Sequence, residues 1–72
     1  MTFSIGDKVF LKVPLPYLKS SDPMPMLRPS DLVSLEEVGD VVGIRSHDIL
    51  EVKFRRGTFL IPFNHLEIQE EL

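Results

Sequence analysis

The stretch from Ile49 to Gln69, "ILEVKFRRGTFLIPFNHLEIQ", decides the fold. Leu50, Val52 and Phe54 alternate with Glu51, Lys53 and Arg55, the period of two that sends successive side chains to opposite faces of a strand. Arg56-Gly57 then marks a tight hairpin turn, because glycine accepts the positive φ that such turns require. "TFLIP" is the returning strand, in which Phe59 and Ile61 alternate with Thr58 and Leu60. "PFNH" reads as one 3₁₀ turn and "LEIQ" as a last short strand, followed by a frayed "EEL" tail.

Upstream, "GDVVGIRS" is a further strand, with Val41 and Gly43 on one face and Val42 and Ile44 on the other. "SIGDKVFLKV" opens on the turn signal Gly6-Asp7 and then alternates as far as Pro14. Val9, Leu11 and Val13 share one face; Lys8, Phe10 and Lys12 share the other. Phe10 falls on the wrong face for a simple core residue, so an adjoining segment is expected to cover it.

Between these strands lies a long connection, Pro14 to Glu37, with five of the chain's six prolines. Each proline fixes its own φ and restricts the residue before it. The segment "SSDPMPMLRP" (Ser20–Pro29) is read as lying outside regular helix or strand. "PSDLVSLEE" can form a turn or two of helix, or a short 3₁₀ turn. Ser30 or Asp31 could cap it, and Ser34 with Glu37 has the capping-box spacing.

The sum is an all-β chain: a small SH3-like barrel of five short strands, with a long proline-rich first loop (residues 14–37) and a 3₁₀ turn before the last strand. Its 72 residues make a single domain, residues 1–72, with a thin core. Closure into a barrel suits so small a sheet, because it removes exposed edges.

Composition narrows the function. There is no cysteine, so no disulfide or thiolate chemistry is open to the chain, which fits a reducing compartment. No apolar run is long enough to span a bilayer. "MTFSIGDKVF" lacks the basic-then-apolar order of a signal peptide, so the expected address is the cytoplasm without membrane insertion. The net charge of −3 and pI near 5.2 lower the expectation of a nucleic-acid partner.

His47 and His65 are the two histidines. Nothing around them resembles a nucleophile elbow, a phosphate-cradling glycine loop or a metal-binding helix motif. Two histidines without cysteine, 18 positions apart, do not form a metal-ligand set. The expectation is no enzyme, no metal and no cofactor. Lys53, Arg55 and Arg56 cluster at the hairpin, with Arg45 on a neighbouring strand. A phosphate-binding surface would want more positive charge and interleaved aromatics. Solvated charges with a secondary, electrostatic steering role are therefore the expectation, and no nucleic acid is expected.

Protein binding is better supported. Tyr17, Leu18, Met24, Met26, Leu27 and Arg28 would together display an apolar patch in the first loop, and such patches mark partner sites. Prolines limit the entropy lost on docking, methionine adapts to irregular surfaces, and tyrosine and arginine are frequent interface anchors. The competing reading folds this loop back over the barrel. The two combine if Leu27 and Leu32 pack inward over Phe10 while Tyr17, Met24 and Arg28 stay outside.

"IGDKVFL", "PYLKSSDPMPMLRPSDLV", "GDVVGI", "VKFRRGTFLIP" and "HLEI", taken together, resemble the small cyanobacterial regulatory family SipA, from about Ile5 to Ile68. That resemblance implies an SH3-like fold with no catalysis of its own. It implies an adaptor in stress signalling that binds the ATP-binding catalytic domain of the sensor histidine kinase NblS and raises its autophosphorylation; the chain itself is expected to be a monomer. Two alternatives stand beside it. "GDVVGIRSHDILEVKF" is similar to the strand pair of the photosystem I subunit PsaE, which implies docking on a photosynthetic complex. "GDKVFL" and "GDVVGI" are similar to the strand starts of KOW-type barrels, which bind RNA and ribosomes.

Overall fold

Val9, Leu18, Val41, Val52, Ile61 and Leu66 are the largest side chains withdrawn completely from water, and they come from six different strands. The computed structural model describes residues 3–21, 27–29, 32–35, 37–46 and 48–69, the Arg28 side chain excepted. Its strands are β1 (Lys8–Leu11), β2 (Tyr17–Ser20), β3 (Leu27–Pro29), β4 (Val38–Ser46), β5 (Ile49–Phe54), β6 (Gly57–Pro62) and β7 (Leu66–Ile68). A 3₁₀ turn, Phe63–His65, separates β6 from β7, as the sequence predicts. All pairings are antiparallel, in the order β3-β2-β6-β5-β4-β1-β7.

The chain is thus a small all-β domain. Its ladder is open: among the described residues no pairing joins β3 to β7. The expected closure is therefore not made by backbone hydrogen bonds. What unites the sheet is one apolar cluster fed from its inner face, to which Phe3 and Val33 add from outside the strands and Leu15, Leu32 and Phe63 pack at the margin. Burying one such aliphatic side chain contributes about 1.5–3 kcal/mol.

The predicted alternation of β5 and β6 holds. Leu50, Val52 and Phe54 are buried, as are Phe59 and Ile61. The turn between them is Arg55-Arg56, one residue earlier than expected, and Phe54 pairs with Gly57 to close it. Gly57 does take positive φ, at 150°, as the first residue of β6. Val13 departs from expectation: β1 stops at Leu11, and Val13 lies exposed beyond it. Phe10 is half-buried, in register with Val38 and Glu67.

Two strands lie where none is predicted. Tyr17–Ser20 alternates exposed, buried, exposed, buried, which places Leu18 and Ser20 inside. Leu27–Pro29 pairs with it as an edge strand. Pro29 is tolerated there because an edge position can spare its missing N–H. The prolines hid a hairpin rather than preventing one.

Past that hairpin, Leu32 lies in a short 3₁₀ segment. Half of the predicted capping box forms. The Glu37 side chain accepts the Ser34 backbone N–H at 3.4 Å, and the Glu37 N–H donates to the Ser34 carbonyl at 3.1 Å. The candidate caps Ser30 and Asp31 lie outside the described residues. No helix among the described residues is long and apolar enough to cross a membrane.

Candidate functional site

A strand paired on both sides has two faces, and one of them meets solvent. On β6 the solvent side is formed by Thr58, Leu60 and Pro62, alternating with the buried Phe59 and Ile61. Leu60 stands in register with Lys19 of β2 on one side and Glu51 of β5 on the other, and Leu27 of β3 continues the row beyond Lys19. Two residues along, Pro29 stands opposite Tyr17 and Pro62 opposite Ile49. The outer face of four strands is therefore largely apolar where alternation alone would make it polar.

From these rows Tyr17, Lys19, Ile49, Leu60 and Pro62 line a groove of about 390 Å³. Leu15 and Pro16 enclose it from the segment before β2, and His65 from the 3₁₀ turn. That turn is pinned at both ends. The Phe63 N–H donates to the Asp48 carbonyl at 2.9 Å, and the Lys12 N–H donates to the His65 carbonyl at 2.9 Å. His65 Nδ1 lies 3.0 Å from the side-chain oxygen of Asn64.

Lys53 lies at the hairpin end of this face, opposite Thr58, and Arg45, Glu51 and Lys19 lie nearer the groove. Arg45 Nε donates to Glu51 Oε1 at 3.1 Å, and Arg45 Nη2 donates to the Ser21 carbonyl at 3.0 Å. Arg45 thus spans from β4 to the end of β2 and occupies the Glu51 carboxylate. Lys19 is exposed, and no carboxylate among the described residues pairs with it.

The predicted binding residues separate. Tyr17 and Leu27 lie on the outer face and are 52% and 65% exposed. Leu27 does not pack inward over Phe10, because β3 carries it on the solvent side beside Lys19. Leu18 is 1% exposed and belongs to the core; as the residue between Tyr17 and Lys19 it must point the other way. The Arg28 backbone is in register with Leu18, while Met24 and Met26 lie outside the described residues. Leu15, Pro16, Ile49, Leu60, Pro62 and His65 are groove residues that sequence reading missed. Their signal was present in Leu60 and Pro62, apolar residues at outward positions of a strand whose inward positions were already filled.

Lys53, Arg55 and Arg56 are exposed together at the β5–β6 hairpin. Lys53 faces Asp40 and Thr58 across the sheet, and the Asp40 carboxylate is held by Lys8 at 2.5 Å. Among the described residues no group of three or more His, Asp or Glu side chains converges as a metal site would.

No curated protein and no solved structure matches the chain. A family profile does, over residues 5–66, and it is not that of the kinase regulators. The resemblance to SipA is thereby overturned, and with it the basis for reading the chain as a histidine-kinase regulator in two-component signalling. The specific part of that resemblance was "YLKSSDPMPMLRPSDLV"; in this fold part of that segment is β2, whose alternation serves the core, and part is the edge strand β3. The matched family is described as Protein CHLORORESPIRATORY REDUCTION 42-like, and the chain belongs to this CRR42-like family.

Proposed function

We propose that this chain is a non-catalytic docking module, a strongly bent SH3-like barrel whose apolar outer face seats a protein component of the machinery for chlororespiratory reduction. One observation carries the reading. The solvent side of β2, β3 and β6 presents Tyr17, Leu27, Leu60 and Pro62 in adjoining registers, beside a groove of drug-sized volume. Contiguous apolar surface of this kind marks a partner site. The family's name supplies the process. The docking of a small barrel on a photosynthetic membrane complex, given above as an alternative on the similarity of the β4 and β5 strand pair, is the form of partnership that suits it.

The SH3-like description is supported by one core shared by all but the β3 edge, by the two-residue β5–β6 hairpin and by the 3₁₀ turn before the last strand. The test is a native-gel separation of membrane complexes from cells expressing the tagged chain. Co-migration with a large complex, lost in Tyr17→Ala and Leu60→Glu variants that remain folded, is the expected result. Association that survives both variants would place the docking surface elsewhere.

A further inference from the structure

We infer that the groove seats an extended, proline-containing segment of a partner protein that brings a carboxylate to Lys19. This rests on the docking reading above and names its ligand.

β6 is paired with β5 along its whole length, β2 with β3 over Tyr17–Lys19, and β2 meets β6 at Lys19–Leu60 and Ser20–Phe59. A partner laid on this face meets strands that each already have neighbours on both sides, and sheet hydrogen bonds lie in the plane of the sheet, so it lies across side chains rather than extending an edge. It must keep its own backbone satisfied while it lies there. A polyproline II segment does so, because its backbone has no internal hydrogen bonds and stays solvated. The groove walls suit it: the rings of Pro16, Tyr17, Pro62 and His65 offer flat faces, and aromatic-lined grooves of small β-domains take proline-rich segments in this way. Such a segment is preordered, so it loses less entropy on binding.

Charge selects the rest of the ligand. The chain as a whole is acidic, at −3. The groove is not. Glu51, the carboxylate on the same row, is engaged by Arg45, and Lys19 stands between Leu27 and Leu60 with no carboxylate partner among the described residues. An acidic group on the ligand would complete that row.

The test is selection of a random dodecapeptide display library on the full chain, followed by titration of the enriched peptides. The expected peptides contain proline and at least one Asp or Glu. Lys19→Glu should weaken them roughly five- to tenfold, the scale of a partly exposed ion pair turned into a repulsion, with an unchanged circular dichroism spectrum. Replacing the peptide's acidic residue by lysine should restore binding to that variant. Enrichment of helical or basic peptides, insensitivity to Lys19→Glu, or no enrichment at all would overturn the inference. The two readings separate cleanly. Loss of native-gel association in Tyr17→Ala alongside selection of helical peptides leaves docking standing and removes this ligand. Acidic, proline-containing peptides that map to the groove of a chain associating with no complex do the reverse.

Discussion

The carboxylate of Glu37 accepts the backbone N–H of Arg55, 18 residues later, at 3.2 Å, while its other oxygen accepts the N–H of Ser34. One side chain thereby fastens the end of the long first connection to the tip of the β5–β6 hairpin. Glu37→Ala should lower stability by about 1 kcal/mol, the usual net worth of hydrogen bonds of this kind. Glu37→Gln keeps one acceptor oxygen and should recover part of the loss. Urea denaturation of the three proteins checks the ranking.

Gly39 and Gly43 should respond unequally to alanine. A Cβ on Gly39 would lie 2.8 Å from the Phe54 ring and from a Val52 methyl, both in the core. Relieving that contact means displacing packed side chains, at about 1–3 kcal/mol. A Cβ on Gly43 would meet the carboxylate end of Glu51 at 2.8 Å, and that end can swing away. Gly39→Ala should lower Tm by roughly 4–8 °C per kcal/mol lost. Gly43→Ala should cost clearly less and be felt at the Arg45–Glu51 pair. Thermal melts compare them directly.

Tyr17 and Leu18 are neighbours with opposite duties. Leu18→Ala should cost about 2–5 kcal/mol, as removal of a fully buried leucine does. Tyr17→Ala removes a half-exposed ring and should change stability by no more than about 0.5 kcal/mol. The order reverses for docking, where Tyr17→Ala is the damaging change and a mild core variant, Leu18→Val, is tolerated. Chemical denaturation and native-gel association on the same set of proteins test both halves.

Arg45→Ala should leave global stability almost unchanged, because partly exposed ion pairs contribute about 0–1 kcal/mol. Its effect should be local. The Arg45 guanidinium holds the Ser21 carbonyl, and the Ser21 N–H donates to the Thr58 carbonyl at 3.1 Å. Without the arginine, the Ser21 amide should exchange with solvent faster than amides at the centre of β5. Hydrogen exchange followed by NMR reads this residue by residue.

The strands that alternate cleanly were legible in the sequence: β5, β6 and the 3₁₀ turn lie where "ILEVKFRRGTFLIPFNH" places them. β2 and β3 were not, because the local signal of proline outweighed a four-residue alternation in "YLKS". That alternation gains its meaning from β6, some 40 positions away in the chain, where Lys19 meets Leu60 and Ser20 meets Phe59. The site was half legible for the same reason. Tyr17 and Leu27 could be singled out by type, but the residues that complete the groove, Ile49, Leu60 and Pro62, reach Tyr17 only through sheet pairing. The SipA resemblance spanned five short motifs from Ile5 to Ile68, and the family profile over residues 5–66 assigns that same length of chain to another family.

The open ladder sets the risk of self-association. Its two terminal strands, β3 and β7, are three residues each, too short to offer a long template to another molecule. Pro29 removes one donor from the first, and Glu67 puts a charge on the second. A chain with a broad greasy face but blunted ends can expose that face at working concentration without growing into fibres from its rims.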